Sequence, residues 1–195
     1  MLAGGRSTRF GCEKAFVKLN KKSLIEWAID SLYQISKLLI IVTSFEGYDS
    51  FLHTKYAREV IVDLLPGRAA LGGIFTGLSR ARTDYSVVVG CDMPFLNKDL
   101  LEYQLSLAKN YDAVVLRVDD KVEPLHSVYS RSCLPVILKL FSEQTLSISQ
   151  LFEMVNTRYV TKEEISQYDP DLLSIFNVNT KRDLALARAF LKKWG

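Results

Sequence analysis

Four stretches of the sequence hold residues whose types and spacing could do chemistry on phosphates. The first is LAGGRSTRFGCEK, residues 2–14. Glycines at 4, 5 and 11 let a backbone come close to a ligand and adopt positive φ. Arg6, Arg9 and Lys14 place three cations on the same short loop, and amide donors with cations are what a nucleoside triphosphate needs. The residue order is neither GxxxxGK[ST] nor GxGxxG, so this is not a P-loop or a dinucleotide fingerprint. The competing reading of the segment is a flexible, solvated N-terminus.

The second stretch is VVVGCDMPF, residues 87–95. Asp92 falls just past an apolar run, where ligands bind in open α/β sheets, and a carboxylate there can hold Mg²⁺ against substrate phosphates. Pro94 steers Met93 away from helix. A turn-forming Asp before a proline is the plainer reading. The third stretch, VDLLPGRAALGGIFTGL at 62–78, ends another apolar run at Asp63 and then carries Gly67, Gly72, Gly73 and Gly77 into a helical pattern. Its helix N-terminus could meet a base or phosphate, with Gly73 among the nucleotide-binding candidates. Close helix–sheet packing accounts for Gly72 and Gly77 equally well. The fourth is FNVNTKRDL, residues 176–184. Asn177 and Asn179 alternate on an extended segment and share a face. Thr180 and Asp183 are explained by helix capping, which leaves Asn177 unexplained. His126 reads as structural or exposed, and His53 receives no role. No Ser-His-Asp or Cys-His set assembles, which disfavours covalent hydrolysis.

The elements that must position these residues alternate in period. Residues 38–42, 60–62, 86–90 and 113–116 read as buried strands. Helical patterns lie between them: one capped by Ser23 with Glu26 at the capping-box position, one over 74–81, one from Asn97 to about Ala108, one from Ser130 or Arg131 to near Phe141, and a last one after Thr180. Alternation of this kind predicts an α/β fold: a single doubly wound, mostly parallel sheet with helices on both faces, forming one domain over 1–195. A glycine-rich loop in such a fold follows a central strand, and here only Met1 and Leu2 precede it. The strand is either a stub or lacks its leading residues; the expectation is a leading strand truncated at the N-terminus, because neighbouring backbone groups would otherwise go unpaired.

Composition narrows the classes further. The chain has 195 residues, is 48% hydrophobic and carries a net charge of +3, too small to imply nucleic-acid binding. No run is long enough to span a bilayer and no signal peptide is visible. Cys12, Cys91 and Cys133 are odd in number and widely spaced, which argues against a disulfide framework or zinc site and fits a reducing cytoplasm.

In this order the segments resemble nucleotidyltransferases that start with LAGGxSxRxGxxK, and within them the molybdenum cofactor guanylyltransferases (the MobA family). The resemblance rests on LAGGRSTRFGCEKAFVKLNKKSLIEW, CDMPFL, EPLHSVYSRSCLPVI and FNVNTKRDL, between residue 2 and about 187. The first block is shared with sugar-1-phosphate and polyol-phosphate nucleotidyltransferases; the others are more specific. The resemblance implies Mg²⁺-dependent transfer of GMP from GTP to molybdopterin-bound molybdenum cofactor, with pyrophosphate released and cofactor-delivery proteins as further partners. It implies that Leu2, Ala3, Gly4 and Gly5 contact the nucleotide and that Lys14 binds its phosphates. Asp63 would lie near the guanosine, Asp92 would hold Mg²⁺, and Asn177 and Asn179 would face the acceptor. Thr43 stands about where the family has another nucleotide contact, usually Asn. The family's GPLAG block reads Ala69-Ala70-Leu71-Gly72-Gly73 here, so guanine preference is the part of the transfer that this sequence supports least. Two other readings compete: a related transferase using CTP or a sugar or polyol phosphate, and a nucleotide-binding protein without catalysis. Asp92 and Lys14 weigh against the latter.

Overall fold

A computed structural model of the chain describes residues 1–4, 14–52, 54 and 59–194. After a 3₁₀ turn at Lys14–Phe16 comes a small antiparallel hairpin, β1 (Lys18–Leu19) with β2 (Lys22–Ser23). Then follow α1 (Leu24–Leu32), β3 (Ile40–Thr43), α2 (Tyr48–Leu52), β4 (Glu59–Val62), α3 (Ala69–Arg80), β5 (Tyr85–Val89) and α4 (Lys98–Ala108). The second half adds β6 (Ala113–Val118), β7 (Lys121–Ser130), α5 (Cys133–Ser142), α6 (Ile148–Met154), β8 (Thr157–Val160), α7 (Lys162–Ser166) and α8 (Lys181–Trp194).

The strands form β3–β4 and β5–β7–β6–β8, and the opening residues join the two sets. Leu2 bridges in parallel to Val42 and to Gly90. The Leu2 amide donates to the Val89 carbonyl at 2.8 Å, and the Ala3 amide donates to Val42 at 2.8 Å. Met1 to Ala3 thus stand in a central strand position between β3 and β5, and are called the stub below. All strands of the joined sheet run the same way except β7, which is antiparallel to both β5 and β6. The mostly parallel α/β sheet expected from the alternation is present, with one reversed strand inside it.

Side-chain alternation builds a core on each face. Val89 packs with Ile25, Ala28, Ile29 and Ile41 on the α1 side, whereas Val88 packs with Leu71, Ile74 and Leu78 of α3. Along β6, Ala113 and Val115 face α5 and α6, while Val114 and Leu116 face α4 and α7. The helix starts follow their caps. Glu26 accepts from the Ser23 amide and hydroxyl, both at 2.7 Å, and Asn97 accepts from the Leu100 amide at 3.0 Å. The Ser23 hydrogen bonds hold the Glu26 carboxyl down at about 2. Cys91 and Cys133 are buried, and burial pushes the Cys133 thiol up to about 12. Among the described residues no helix is long and apolar enough to cross a membrane.

Candidate active site

The chemistry-bearing residues meet at the carboxyl ends of the stub, β3, β4 and β5. Because Leu2 lies between Val42 and Gly90, the chain leaves the stub at Ala3–Gly4 with Thr43 on one flank and Cys91–Asp92 on the other. Gly4 sits over the Thr43–Ser44 peptide, where an added Cβ would be 3.6 Å from the Ser44 nitrogen. Gly5, Arg6 and Arg9 lie outside the described residues, as does His53.

Lys14 is the focus. Its Nζ donates to Asp92 Oδ2 at 2.5 Å and to Asn179 Oδ1 at 2.6 Å. Residues 14, 92 and 179, read from three separate segments of sequence, therefore converge on one ammonium group. The Lys14 and Asp92 side chains are 18% and 20% exposed, so the pair is open to a ligand from one side. Main-chain bonds fix its frame: the Val178 amide donates to the Asp92 carbonyl at 3.0 Å and docks the Asn177–Asn179 strip against the Asp92 turn. Past it, Asp183 accepts from the Asn179 amide and its own amide donates to Thr180 Oγ1, the reciprocal cap that starts α8.

Two contributors escape the sequence reading. Glu123, on β7, accepts from Asn177 Nδ2 at 3.5 Å. Burial pushes its carboxyl up and the Leu125 amide opposes this, while the nearby Asp92 charge raises it further. Its signal in the sequence was the EPLHSVY block, which offered no spacing that linked it to Asp92. The second is Gly90: a Cβ there would stand 2.5 Å from Asp92 Oδ1, so this position must lack a side chain for the carboxylate to lie as it does. Gly90→Ala is expected to leave the melting temperature nearly unchanged and to lower kcat by roughly ten- to a hundredfold, since small displacements of catalytic groups cost about that much. Steady-state kinetics beside a thermal melt check this; an unchanged kcat would show that the carboxylate position is not critical.

On the other flank, Asp63 Oδ1 accepts from Thr76 Oγ1 at 2.8 Å and the Leu65 amide at 3.1 Å, and so ties the β4 exit to α3. Gly72 packs beneath it: an added Cβ would meet the Leu65 carbonyl at 2.7 Å. Gly73 packs on Leu2, with Cβ-to-methyl distances of 3.1 and 3.2 Å, which holds α3 close to the stub. Both glycines serve helix–sheet approach in this structure. Ala69, where the family's glycine is replaced, adopts φ of 49°, a left-handed conformation that costs an L-residue about 1–2 kcal/mol. Thr43 is 1% exposed, and its Oγ1 is a buried oxygen with no hydrogen-bond partner among the described residues.

His126 is wholly buried and serves the frame. Gln104 Nε2 donates to the His126 carbonyl at 3.0 Å, which orients the amide so that its Oε1, 3.0 Å from Nδ1, accepts from the ring. His126 Nε2 then accepts from Ser174 Oγ at 2.6 Å, and Ser174 Oγ accepts from the Asn97 amide at 2.8 Å. The network joins the end of the Asp92 turn to the segment that leads into Asn177.

Comparison with known proteins points to one family. Residues 1–158 match the family described as "MobA-like NTP transferase domain". A curated relative from Desulfosudis oleivorans, named molybdenum cofactor guanylyltransferase, is 32% identical over 198 residues, covering 98% of this chain and 94% of that protein. The crystal structure of molybdopterin-guanine dinucleotide biosynthesis protein A from Archaeoglobus fulgidus superposes with a TM-score of 0.84 at 30% identity, covering 98% of this chain and 97% of the other. The fold alone is shared with 2-C-methyl-D-erythritol 4-phosphate cytidylyltransferase from Thermus thermophilus, at a TM-score of 0.70 and 14% identity, covering 92% of this chain and 94% of that one.

Proposed function

The chain belongs to the MobA-like NTP transferase family, and on that premise we propose that it transfers GMP from GTP to molybdenum cofactor in its molybdopterin form, yielding the guanine dinucleotide cofactor and pyrophosphate. The observation that carries this reading is the Lys14 ammonium bound at once to Asp92 and Asn179, beside the exit of a glycine-rich loop. Such a lysine is placed to exchange side-chain oxygens for phosphate oxygens when a triphosphate arrives.

The donor set fits Mg²⁺. That ion takes one or two carboxylates and keeps water and substrate phosphates as its other ligands. No three His, Cys, Asp or Glu side chains converge as a protein cage among the described residues. Asp92 offers its Oδ1 over Gly90, with the Asn177 amide and Glu123 nearby. When bound, Mg²⁺ would neutralise charge on the phosphate oxygens.

The chain's own residues do the rest. Ala3 and Gly4 bring backbone to the nucleotide, with Thr43 at the end of β3 beside them as a further nucleotide contact. Lys14, with Arg6 and Arg9, offsets charge that grows on the leaving pyrophosphate. An acceptor phosphate oxygen attacks the α-phosphorus in line. The new O–P bond forms as the bond to the pyrophosphate oxygen breaks, and the acceptor, already ionised at neutral pH, needs no general base. Asn177 and Asn179 stand on the acceptor side.

The base is tested by measuring Mg²⁺-dependent binding of GTP, CTP and ATP. GTP is expected to bind at least about tenfold tighter, a difference of ~1.4 kcal/mol. Equal affinity for all three would overturn the guanylyl assignment and spare the transferase one. The Ala69-Ala70 pair makes this comparison informative, because it alters the loop where the family's Gly-Pro stands.

A further inference from the structure

β7 carries residues that its pairing with β6 does not use. Val115 pairs with Ser127, but the next residue, Leu116, pairs with Glu123, so Pro124, Leu125 and His126 form a bulge. Hydrogen bonds lock it in place. Ser127 Oγ donates to the Glu123 carbonyl at 2.7 Å, Tyr129 Oη to the Pro124 carbonyl at 3.0 Å, and the Gly90 amide to the Leu125 carbonyl at 3.1 Å. Bulges of this kind re-aim a side chain. Here the side chain is Glu123, which a bond from the Leu125 amide and another from Asn177 Nδ2 hold near Asp92.

Glu123 decides which end of the Asn177 amide faces the site. Asn177 Nδ2 donates to Glu123 Oε2 at 3.5 Å and to the Ile175 carbonyl at 3.2 Å. A carboxylate and a carbonyl only accept, so the nitrogen end lies against them and the oxygen end points away. Asn177 Oδ1 accepts no hydrogen bond among the described residues. Its neighbours fix the face. Val178 is buried and its amide donates to the Asp92 carbonyl, so Asn177 and Asn179 turn to the opposite side. That is the side on which Asn179 Oδ1 meets Lys14 and Lys14 meets Asp92. An amide oxygen there gains nothing from a phosphate, whose ionised oxygens also only accept. It suits a hard cation.

We propose that Glu123 is a positioning residue: through Asn177 Nδ2 it sets the amide so that Asn177 Oδ1 joins Asp92 as a second protein oxygen for the divalent cation. The inference rests on the transferase reading, which supplies the cation. Glu123 acts through Asn177 and is not itself the ligand, because its carboxylate already holds the Leu125 and Asn177 donors. One carboxylate and one neutral oxygen leave most of the ion's coordination to water and substrate phosphates, as Mg²⁺ requires. The bulge serves this arrangement by bringing Glu123 to Asn177.

The test reads Mn²⁺ affinity from the electron paramagnetic resonance signal of the free ion, with α,β-methylene-GTP present so that no turnover occurs. Glu123→Ala is expected to weaken Mn²⁺ binding about tenfold, the lower end of what partners that orient a metal ligand are worth. Asn177→Ala is expected to weaken it by at least as much. Glu123→Ala added to Asn177→Ala is expected to cost nothing further, because the one acts through the other. In turnover, raising Mg²⁺ is expected to recover the rate that Glu123→Ala loses, which a folding defect would not allow. If Glu123→Ala does not fold, Glu123→Gln, which keeps the volume, is carried through the same cycle. Parent-like Mn²⁺ affinity in the Glu123 variant overturns the proposal. So does the same loss in both backgrounds, which would mean that Glu123 acts without Asn177. A parent chain that binds neither the nucleotide analogue nor Mn²⁺ overturns the transferase reading, and the inference with it.

Discussion

Asp92→Ala is expected to lower kcat/KM for pyrophosphate release by roughly 10³-fold, the upper range for removing one preorganised electrostatic group, while the chain stays folded. The carboxylate is 20% exposed, and its link to the Asn177–Asn179 strip runs through the main-chain carbonyl that accepts from Val178, which alanine retains. What disappears is the charge that holds Lys14 and that would hold the metal. Asp92→Asn is the sharper companion: it keeps the shape and an oxygen for Lys14 and removes only the charge. Both variants are expected to melt within a few degrees of the parent. Near-normal turnover in a folded Asp92→Ala would remove Asp92 from the mechanism.

His126→Leu is expected to lose about 3 kcal/mol or more of stability, which in a chain of this size lowers the melting temperature by roughly 6–12 °C. Leucine would leave Gln104 Oε1 and Ser174 Oγ buried without their ring partner, and Gln104 and Ser174 are both 0% exposed. The same residue sets a pH dependence. Burial lowers the His126 pKa from 6.5 to about 4 in the folded chain, so the unfolded chain takes up the proton first as pH falls. Its contribution is fully present above pH 6.5 and is lost as pH drops from there toward about 4, on the order of 3 kcal/mol in all. Denaturant titrations of the parent and His126→Leu across that window should show the parent's stability falling more steeply. Parallel curves would mean that the buried ring does not titrate as described.

The two residues also show what could be read without coordinates. Asp92 can be picked out because a carboxylate just past an apolar run falls where ligands bind in open α/β sheets, although a turn before a proline reads from the same residues. Caps were equally plain: Ser23 with Glu26, Asn97, and Thr180 with Asp183 all sit where their spacing puts them. The convergence of Lys14, Asp92 and Asn179 could be guessed only through family resemblance, since it depends on the Val178–Asp92 hydrogen bond between segments far apart in sequence. β7 was hidden by its own composition. Lys121, Glu123 and Pro124 interrupt the apolar pattern, and a proline inside a run argues against a central strand. With β7 unread, Glu123 could not be placed beside Asp92. His126 was hidden for the same reason, since its role is a network spread over α4, β7 and the turn before Asn177. Gly72 carried two readings, and the close approach of α3 to Leu65 explains it through packing, while Gly73 packs on Leu2.

The central claim is the transfer itself, and product identification tests it most directly. The protein is incubated with Mg²⁺, GTP and molybdenum cofactor, and the product is resolved by mass while pyrophosphate is measured. The account predicts guanine dinucleotide cofactor and pyrophosphate in equal amounts, with neither formed when GTP or the cofactor is left out. Pyrophosphate and a dinucleotide product formed from CTP or with a sugar or polyol phosphate acceptor, and not from GTP with molybdenum cofactor, would contradict it.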